Sequence, residues 1–222
     1  MKRIAAPRSW PVQRKGSVFI RVPEGPHIQG NSVSLNMLFK DLLNLAKTTK
    51  EARYVIFNKE VLVNGKKVTN DKMQFGVFDV LALPEAEQYY TLVLNSRGKL
   101  TPLEITKEQS KEKLSRIEKK TYLQGKKIQL NLFGGMSMLV EKDQYRVGDI
   151  LVVSLSDLKI KNHIKLEKGV LVYLLTGKHI AETVKVEKVD GSTIVCKSGE
   201  NEFEVDKSAA YVVGKEKPIL SI

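Results

Sequence analysis

Lys47, Lys50, Arg53, Lys59, Lys66 and Lys67 lie close together along the chain, and the pair Asn64-Gly65 interrupts them. Groups of this type make and break no bonds; their chemistry is the neutralisation of phosphates. Such contacts supply most of the non-specific affinity for RNA or DNA and speed the encounter. The same residues on an ordinary solvated hairpin leave an equally basic surface, so the elements that hold them matter. Asn-Gly favours the positive φ angles of a two-residue turn, and Val61, Leu62, Val63 and Val68 flank it as short strands, placing lysines at a hairpin tip. Thr48 stands three residues before Glu51, a capping-box spacing that opens a helix with Ala52, Val55 and Ile56 inward and Lys47, Lys50 and Arg53 outward. Upstream, Leu35, Leu38, Leu42 and Leu45 recur at helical spacing, Phe39 and Leu43 widen the stripe, and Ser32 or Ser34 serves as N-cap. Two helices on a small hairpin sheet thus account for residues 35–84.

The whole chain is consistent with a polyanionic partner. Its 222 residues carry 37 basic and 25 acidic groups, a formal charge of +12, which suits nucleic acid or an anionic membrane surface. A membrane-spanning role is excluded because apolar runs such as Val170–Leu175 fall far short of the roughly 20 residues required. The single cysteine, Cys196, rules out an internal disulfide and a multi-cysteine zinc site, and reads as strand core in a reducing compartment. Residues 1–30 hold six basic residues (Lys2, Arg3, Arg8, Arg14, Lys15 and Arg21) against Glu24, with prolines at 7, 11, 23 and 26. No apolar run follows these charges as in a secretory signal, and the prolines break any presequence helix. They favour an extended arm able to thread along RNA, with Trp10 packed on a base or in a protein pocket; a disordered tail fits the composition equally well.

Beyond Pro84 the periodicity becomes two. Tyr89–Leu94 and Leu100–Ile105 flank a turn carrying Arg97, Ile128, Leu130 and Leu132 alternate with polar residues, and Asp149–Leu155 forms a further strand. Between them Lys107, Lys111, Lys113, Arg116, Lys119, Lys120, Lys126 and Lys127 mix with glutamates, so part of this cluster reads as a solvated face. Five short strands (170–175, 184–189, 192–196, 202–205 and 211–213), with turns at Asp190-Gly191 and Ser198-Gly199, suit a small SH3-like barrel.

A catalytic constellation is missing. His27, His163 and His179 lie in unrelated segments without metal-ligand spacing. Thr176-Gly177-Lys178 is not a phosphate-binding loop, because His179 follows the lysine and Val172 occupies the upstream glycine position. Asp79 and Asp149 each lead into an apolar strand and read as strand-entry carboxylates. No cofactor, metal or catalytic residue is expected.

In their order, these segments resemble the S-four-e family of small-subunit ribosomal proteins of archaea and eukaryotes. The resemblance rests on Lys2 to Pro11, Gly25-Pro26-His27, Lys50-Glu51-Ala52, Val61 to Lys66, Arg116-Ile117-Glu118, Gly125 to Leu132, Gly148-Asp149, Gly177-Lys178-His179 and Val213-Gly214. It implies an α+β multidomain protein: an extended basic arm (1–34), a helix-helix-hairpin RNA-binding module (35–84), a central all-β domain (85–165) and a C-terminal SH3-like, KOW-type barrel (166–222). Lys2, Arg3, Arg8, Trp10, Arg14 and Lys15 of the arm are then expected on RNA, with Lys47, Lys50, Arg53, Lys59, Asn64, Lys66 and Lys67 of the module. Arg97, Arg116, Lys126, Lys127, Lys178 and His179 complete the set. One departure stands out: Ala181 and Val184 replace glycines that the family carries after its GKH, and a positive φ at Ala181 would be strained. The implied protein is non-enzymatic, cytoplasmic and ribosome-associated, in contact with small-subunit ribosomal RNA and neighbouring ribosomal proteins, and neither membrane-bound nor an obligate homo-oligomer. Two other classes stay open, an RNA-modifying enzyme subunit and a transcription-associated KOW protein.

Overall fold

The leucine-rich stripe yields a shorter and less regular helix than its spacing predicts. The computed structural model describes residues 1–198, 201–215 and 219. After strand β1 (Ser32–Ser34), one turn of α-helix α1 (Leu35–Met37), capped by Ser34 Oγ accepting from Met37 N, passes directly into a π-helical stretch at Leu38–Leu42. The wider i→i+5 turn, closed by Leu43 N donating to Leu38 O, slows the rotation of side chains along the axis. Leu35, Leu38 and Phe39 are buried, whereas Leu45 lies beyond the end of the helix and is 45% exposed. Asn44 at φ +54° ends the helix.

The second helix follows the expectation closely. In α2 (Thr49–Asn58), Thr48 Oγ1 accepts from Glu51 N, and Glu51 Oε2 accepts from Lys47 N at 2.8 Å. That bond to the Lys47 backbone, with Thr48 assisting, holds the Glu51 carboxyl below its usual range. Ala52 and Ile56 are buried and Val55 half-buried.

Contacts divide the chain into two units, residues 1–113 and the described residues from 114 onward. In the first, β2 (Leu62–Val63), β3 (Lys66–Lys67), β4 (Gln74–Gly76), β5 (Val80–Leu83), β6 (Gln88–Leu94) and β7 (Leu100–Glu104) follow α2. An antiparallel sheet runs in the order β3-β2-β5-β6-β7, and β1 pairs with β4 in a separate two-stranded ribbon. The sheet thus continues across Pro84, with β6 and β7 extending the one that the hairpin begins. The β1–β4 ribbon was not legible, because each strand has three residues, all buried, with no alternation to read.

β8 (Glu112–Tyr122) begins at the end of the first unit, and from Leu114 on it belongs to the second, which also holds β9 (Ile128–Leu132), β10 (Ser137–Val140), β11 (Ile150–Ser154) and β12 (Ile160–Ile164), in the order β10-β9-β8-β11-β12. Ile117, Ile128, Leu130, Leu132, Tyr145, Leu151 and Val153 pack as one hydrophobic cluster on this sheet. A second sheet, β16-β15-β14-β13-β17, comprises β13 (Leu171–Leu174), β14 (Thr183–Asp190), β15 (Thr193–Ser198), β16 (Asn201–Asp206) and β17 (Ala210–Gly214), and makes a half-barrel. The molecule is mostly β with few helices. Gly199, of the expected Ser198-Gly199 turn, lies outside the described residues. Part of the basic cluster is corrected: β8 carries Lys113 and Arg116 into the interior, at 2% and 9% exposure. Their charges break the apolar pattern of a strand that is nonetheless buried from Lys113 to Ile117.

Asp79 shows how a buried lysine is accommodated. Its carboxylate, 1% exposed, pairs with Lys113 Nζ and accepts from His27 Nε2 at 2.8 Å, Gly76 N at 2.8 Å and Asn64 Nδ2 at 2.9 Å. An ionised carboxylate only accepts, so His27 carries its proton on Nε2. Burial by itself raises the Asp79 pKa, but Lys113 and His27 outweigh it and hold the group well below the ordinary carboxylate range. A Cβ on Gly76 would stand 2.3 Å from the His27 ring, so this position requires glycine for close approach.

Removing the Lys113 ammonium leaves an uncompensated buried charge, and Lys113→Ala is expected to cost about 3–5 kcal/mol in urea denaturation. Because the Asp79 pKa is lowered on folding, its stabilisation is present above the unfolded value of about 3.9 and is lost as pH falls below it. Between pH 4 and pH 2, stability should therefore fall more steeply in the wild type than in Asp79→Asn; equal slopes would contradict the assignment.

Candidate nucleic-acid interface

The hairpin cations differ in what already neutralises them. Asn64 (φ +50°) and Gly65 (φ +76°) form the expected two-residue turn with both angles positive. Lys66 and Lys67, immediately after it, make up the exposed edge strand β3. No carboxylate lies within ion-pairing distance of either among the described residues. Edge lysines also prevent pairing with other strands, so they have a solubility role in the free protein. The Asn64 side chain, expected on RNA, turns inward: it donates to Asp79 and accepts from Val80 N at 3.0 Å. Lys59 is engaged by Glu85 at 2.8 Å, which raises its pKa above the usual ammonium value.

On α2, Lys47 and Lys50 are exposed at the N-terminal end. Arg53 Nε lies 3.2 Å from Asp71, a buried carboxylate that also meets Arg21 at 3.5 Å. Lys50, Arg53, Tyr54 and Phe57 share the outer face at helical spacing, with Tyr54 65% and Phe57 48% exposed. Charge marks the cations of this stripe in the sequence, whereas its two aromatics carry only the helical spacing as a signal and were not expected there.

The basic N-terminal segment is not a free thread. Residues 1–3 lie antiparallel to 18–20, with Arg3 N donating to Val18 O and Ile20 N to Met1 O. Trp10 is 2% exposed and its indole N–H donates to the carbonyls of Gln29 and Ser32. The expected base platform at Trp10 is thus core, as the residue's size favours once a pocket with two carbonyl acceptors exists. Arg3 is buried and bonded to Gln13 O and Asp41, whereas exposed Arg14 donates to the carbonyls of Ile4 and Ala6. Lys2, Arg8 and Lys15 project into solvent. Arg97 is also exposed, on a turn held by Asn95 Oδ1 accepting from Arg97 N and Lys99 N.

In the second unit, Arg116 is a structural residue: its Nη1 donates to Ser208 O at 2.6 Å and Ala210 O at 3.1 Å, and its guanidinium lies near the Phe133 and Tyr211 rings. Lys127 and Lys178 are exposed, and the Lys126 side chain lies outside the described residues. His179 stacks on Phe203 with ring centroids 4.1 Å apart and pairs through Nδ1 with Glu182, leaving it half-buried. Two residues later Ala181 has φ +68°.

Asp149 repeats the arrangement seen at Asp79. It is 3% exposed and accepts from Arg146 N, Leu166 N and His163 Nε2. Both strand-entry aspartates are thereby committed to structure. Among the described residues, no three His, Cys, Asp or Glu side chains are grouped to hold a metal, and no helix is long and apolar enough to cross a membrane.

A β-rich protein with an unpaired lysine edge strand and exposed basic loops has the surface of the class that binds nucleic-acid backbone. Comparison with known proteins narrows the class. Residues 86–160 match the model of Ribosomal family S4e. The chain is 33% identical to the small ribosomal subunit protein eS4 of Methanosphaera stadtmanae, over all of this chain and 95% of that protein. It is 37% identical to the eS4 of Haloarcula marismortui, over 85% of this chain and 81% of that one. The crystal structure of the 30S ribosomal protein S4e from Thermoplasma acidophilum superposes with a TM-score of 0.73 at 30% identity, covering 83% of this chain and 96% of that one. The chain belongs to the S4e family of ribosomal proteins.

An alanine in the left-handed region costs about 1–2 kcal/mol, part of which glycine returns as unfolded-state entropy. Ala181→Gly is therefore expected to raise stability by about 0.5–1 kcal/mol, read as a shift in the urea midpoint at constant m-value.

Proposed function

We propose that the chain is a structural constituent of the small ribosomal subunit that binds ribosomal RNA and supports subunit assembly and translation. The observation that carries this reading is the pair Lys66–Lys67, unpaired on an edge strand behind a turn whose asparagine is fixed by a buried aspartate. Lys2, Arg8, Arg14, Lys15, Lys47 and Lys50 extend the contact along the N-terminal segment and α2, with a smaller share from Arg53, which Asp71 already engages. Arg97, Lys127 and Lys178 supply further phosphate contacts from loops. Trp10, Arg3, Asn64 and Arg116 support this surface from within, and Lys59 and His179 contribute less because Glu85 and Glu182 already engage them.

In functional terms the chain divides into a basic segment (1–34), a helix-hairpin module (35–84) that shares its sheet with β6 and β7, a central β region (85–165) and a KOW-type barrel (166–222). The role is non-catalytic, in the cytoplasm, among ribosomal RNA and neighbouring ribosomal proteins, without a membrane or an obligate second copy. The family likeness spans the entire length and supports this reading over an RNA-modifying enzyme subunit or a transcription-associated KOW protein.

The endogenous protein should co-sediment with small subunits at low salt; recovery only in light, RNA-free fractions would overturn the proposal. Lys66→Ala should weaken binding to small-subunit ribosomal RNA with little change in sequence preference. It should also reduce the slope of log K against log salt by about 0.7–0.9, the contribution of one phosphate contact. An unchanged slope would remove Lys66 from the interface.

A further inference from the structure

We propose that Phe19 is a stacking platform for an unpaired RNA base, an inference that rests on the ribosomal RNA reading above. The sequence offers Trp10 for this task, but the fold buries Trp10 and exposes the Phe19 ring instead, at 70%. The backbone that carries the ring is paired on both sides: Phe19 bridges Lys2, Arg3 N bonds Val18 O, and Ile20 N bonds Met1 O. Ile20, 8% exposed, anchors the segment in the core. Pre-positioning of this kind lowers the ordering cost of binding.

The surroundings favour a nucleotide over a protein surface. All six charged residues among the first 21 are basic, and the cross-strand partner of Phe19 is the exposed Lys2. Phe19 also forms one wall of a cleft of about 310 Å³ lined by Arg21, Asn36, Lys40 and Asp41 among others. That volume lies at the small end of pockets that hold one small ligand. Its polar lining can meet a base edge or sugar, while Lys2 and neighbouring cations meet the flanking phosphates. An exposed ring beside such cations is the arrangement that single-stranded RNA recognition uses, because every base has a π-face. Ile4 and Val18, 77% and 62% exposed, extend the apolar surface but offer no ring.

The test uses the full chain and two fluorescent RNA 12-mers of equal charge, one unstructured and adenine-rich, the other with abasic sugars throughout. Wild type should bind the base-bearing strand about tenfold or more tightly. Phe19→Ala and Phe19→Leu should lose that preference while keeping the salt slope and melting temperature of the wild type, and Phe19→Tyr should retain it. Unchanged preference in Phe19→Ala, or full retention in Phe19→Leu, would overturn the proposal. So would intact RNA binding by Phe19→Ala combined with its loss from assembled subunits, which would make the ring a protein contact. If wild type binds neither strand in a salt-dependent way, the RNA reading itself fails, and the Phe19 proposal fails with it.

Discussion

Asp79 carries a full negative charge at 1% exposure, and the ordered surface of the first unit depends on how that charge is satisfied. Leaving a buried carboxylate without its counter-ion costs a large share of the net stability of a domain, and Lys113 beside it removes that cost. With that ion pair in place, the remaining lone pairs draw together chain segments distant in sequence: His27 from the N-terminal region, Gly76 from β4 and Asn64 from the hairpin turn. The apolar core brings these elements near one another. The carboxylate fixes their register, since hydrogen bonds are directional and apolar contact is not.

The consequence for function is geometric. A two-residue turn on strands of two residues each is too small to be ordered by itself. Asn64 is held by Asp79 from behind and by Val80 N, so Lys66 and Lys67 leave the turn in a defined direction. The free cations thus stand on a rigid support, while Lys59, Arg53 and Arg3 are drawn to Glu85, Asp71 and Asp41. Charge count alone does not distinguish these two sets; pairing does.

The local chemistry of turns and caps was legible in the sequence: Asn64-Gly65, the Thr48–Glu51 box, and the alternation of Ile128, Leu130 and Leu132 all act between near neighbours. Long-range burial was not. Trp10 in a proline-rich basic segment reads as packed on a base or in a protein pocket, and only the carbonyls of Gln29 and Ser32 decide for the pocket. Lys113 reads as one more cation of a mixed-charge cluster and Arg116 as an RNA contact, because their partners, Asp79 on one hand and Ser208 and Ala210 on the other, are 34, 92 and 94 residues away. The π-helical turn at Leu38–Leu42 likewise follows from packing and carries no separate signal in a leucine stripe. Ala181 is the opposite case, where the family's glycine pattern marked a position whose φ of +68° the chain adopts despite its side chain.

The central claim is that the unpaired lysines of β3 face ribosomal RNA. Lysine-reactivity footprinting by brief acetylation, read by mass spectrometry on the free protein and on small subunits containing it, tests this most directly. Lys66 and Lys67 should be reactive in the free chain and strongly protected in the subunit, with protection lost after nuclease digestion of the RNA. Equal reactivity in the free and assembled states, or protection that survives removal of the RNA, would contradict the account.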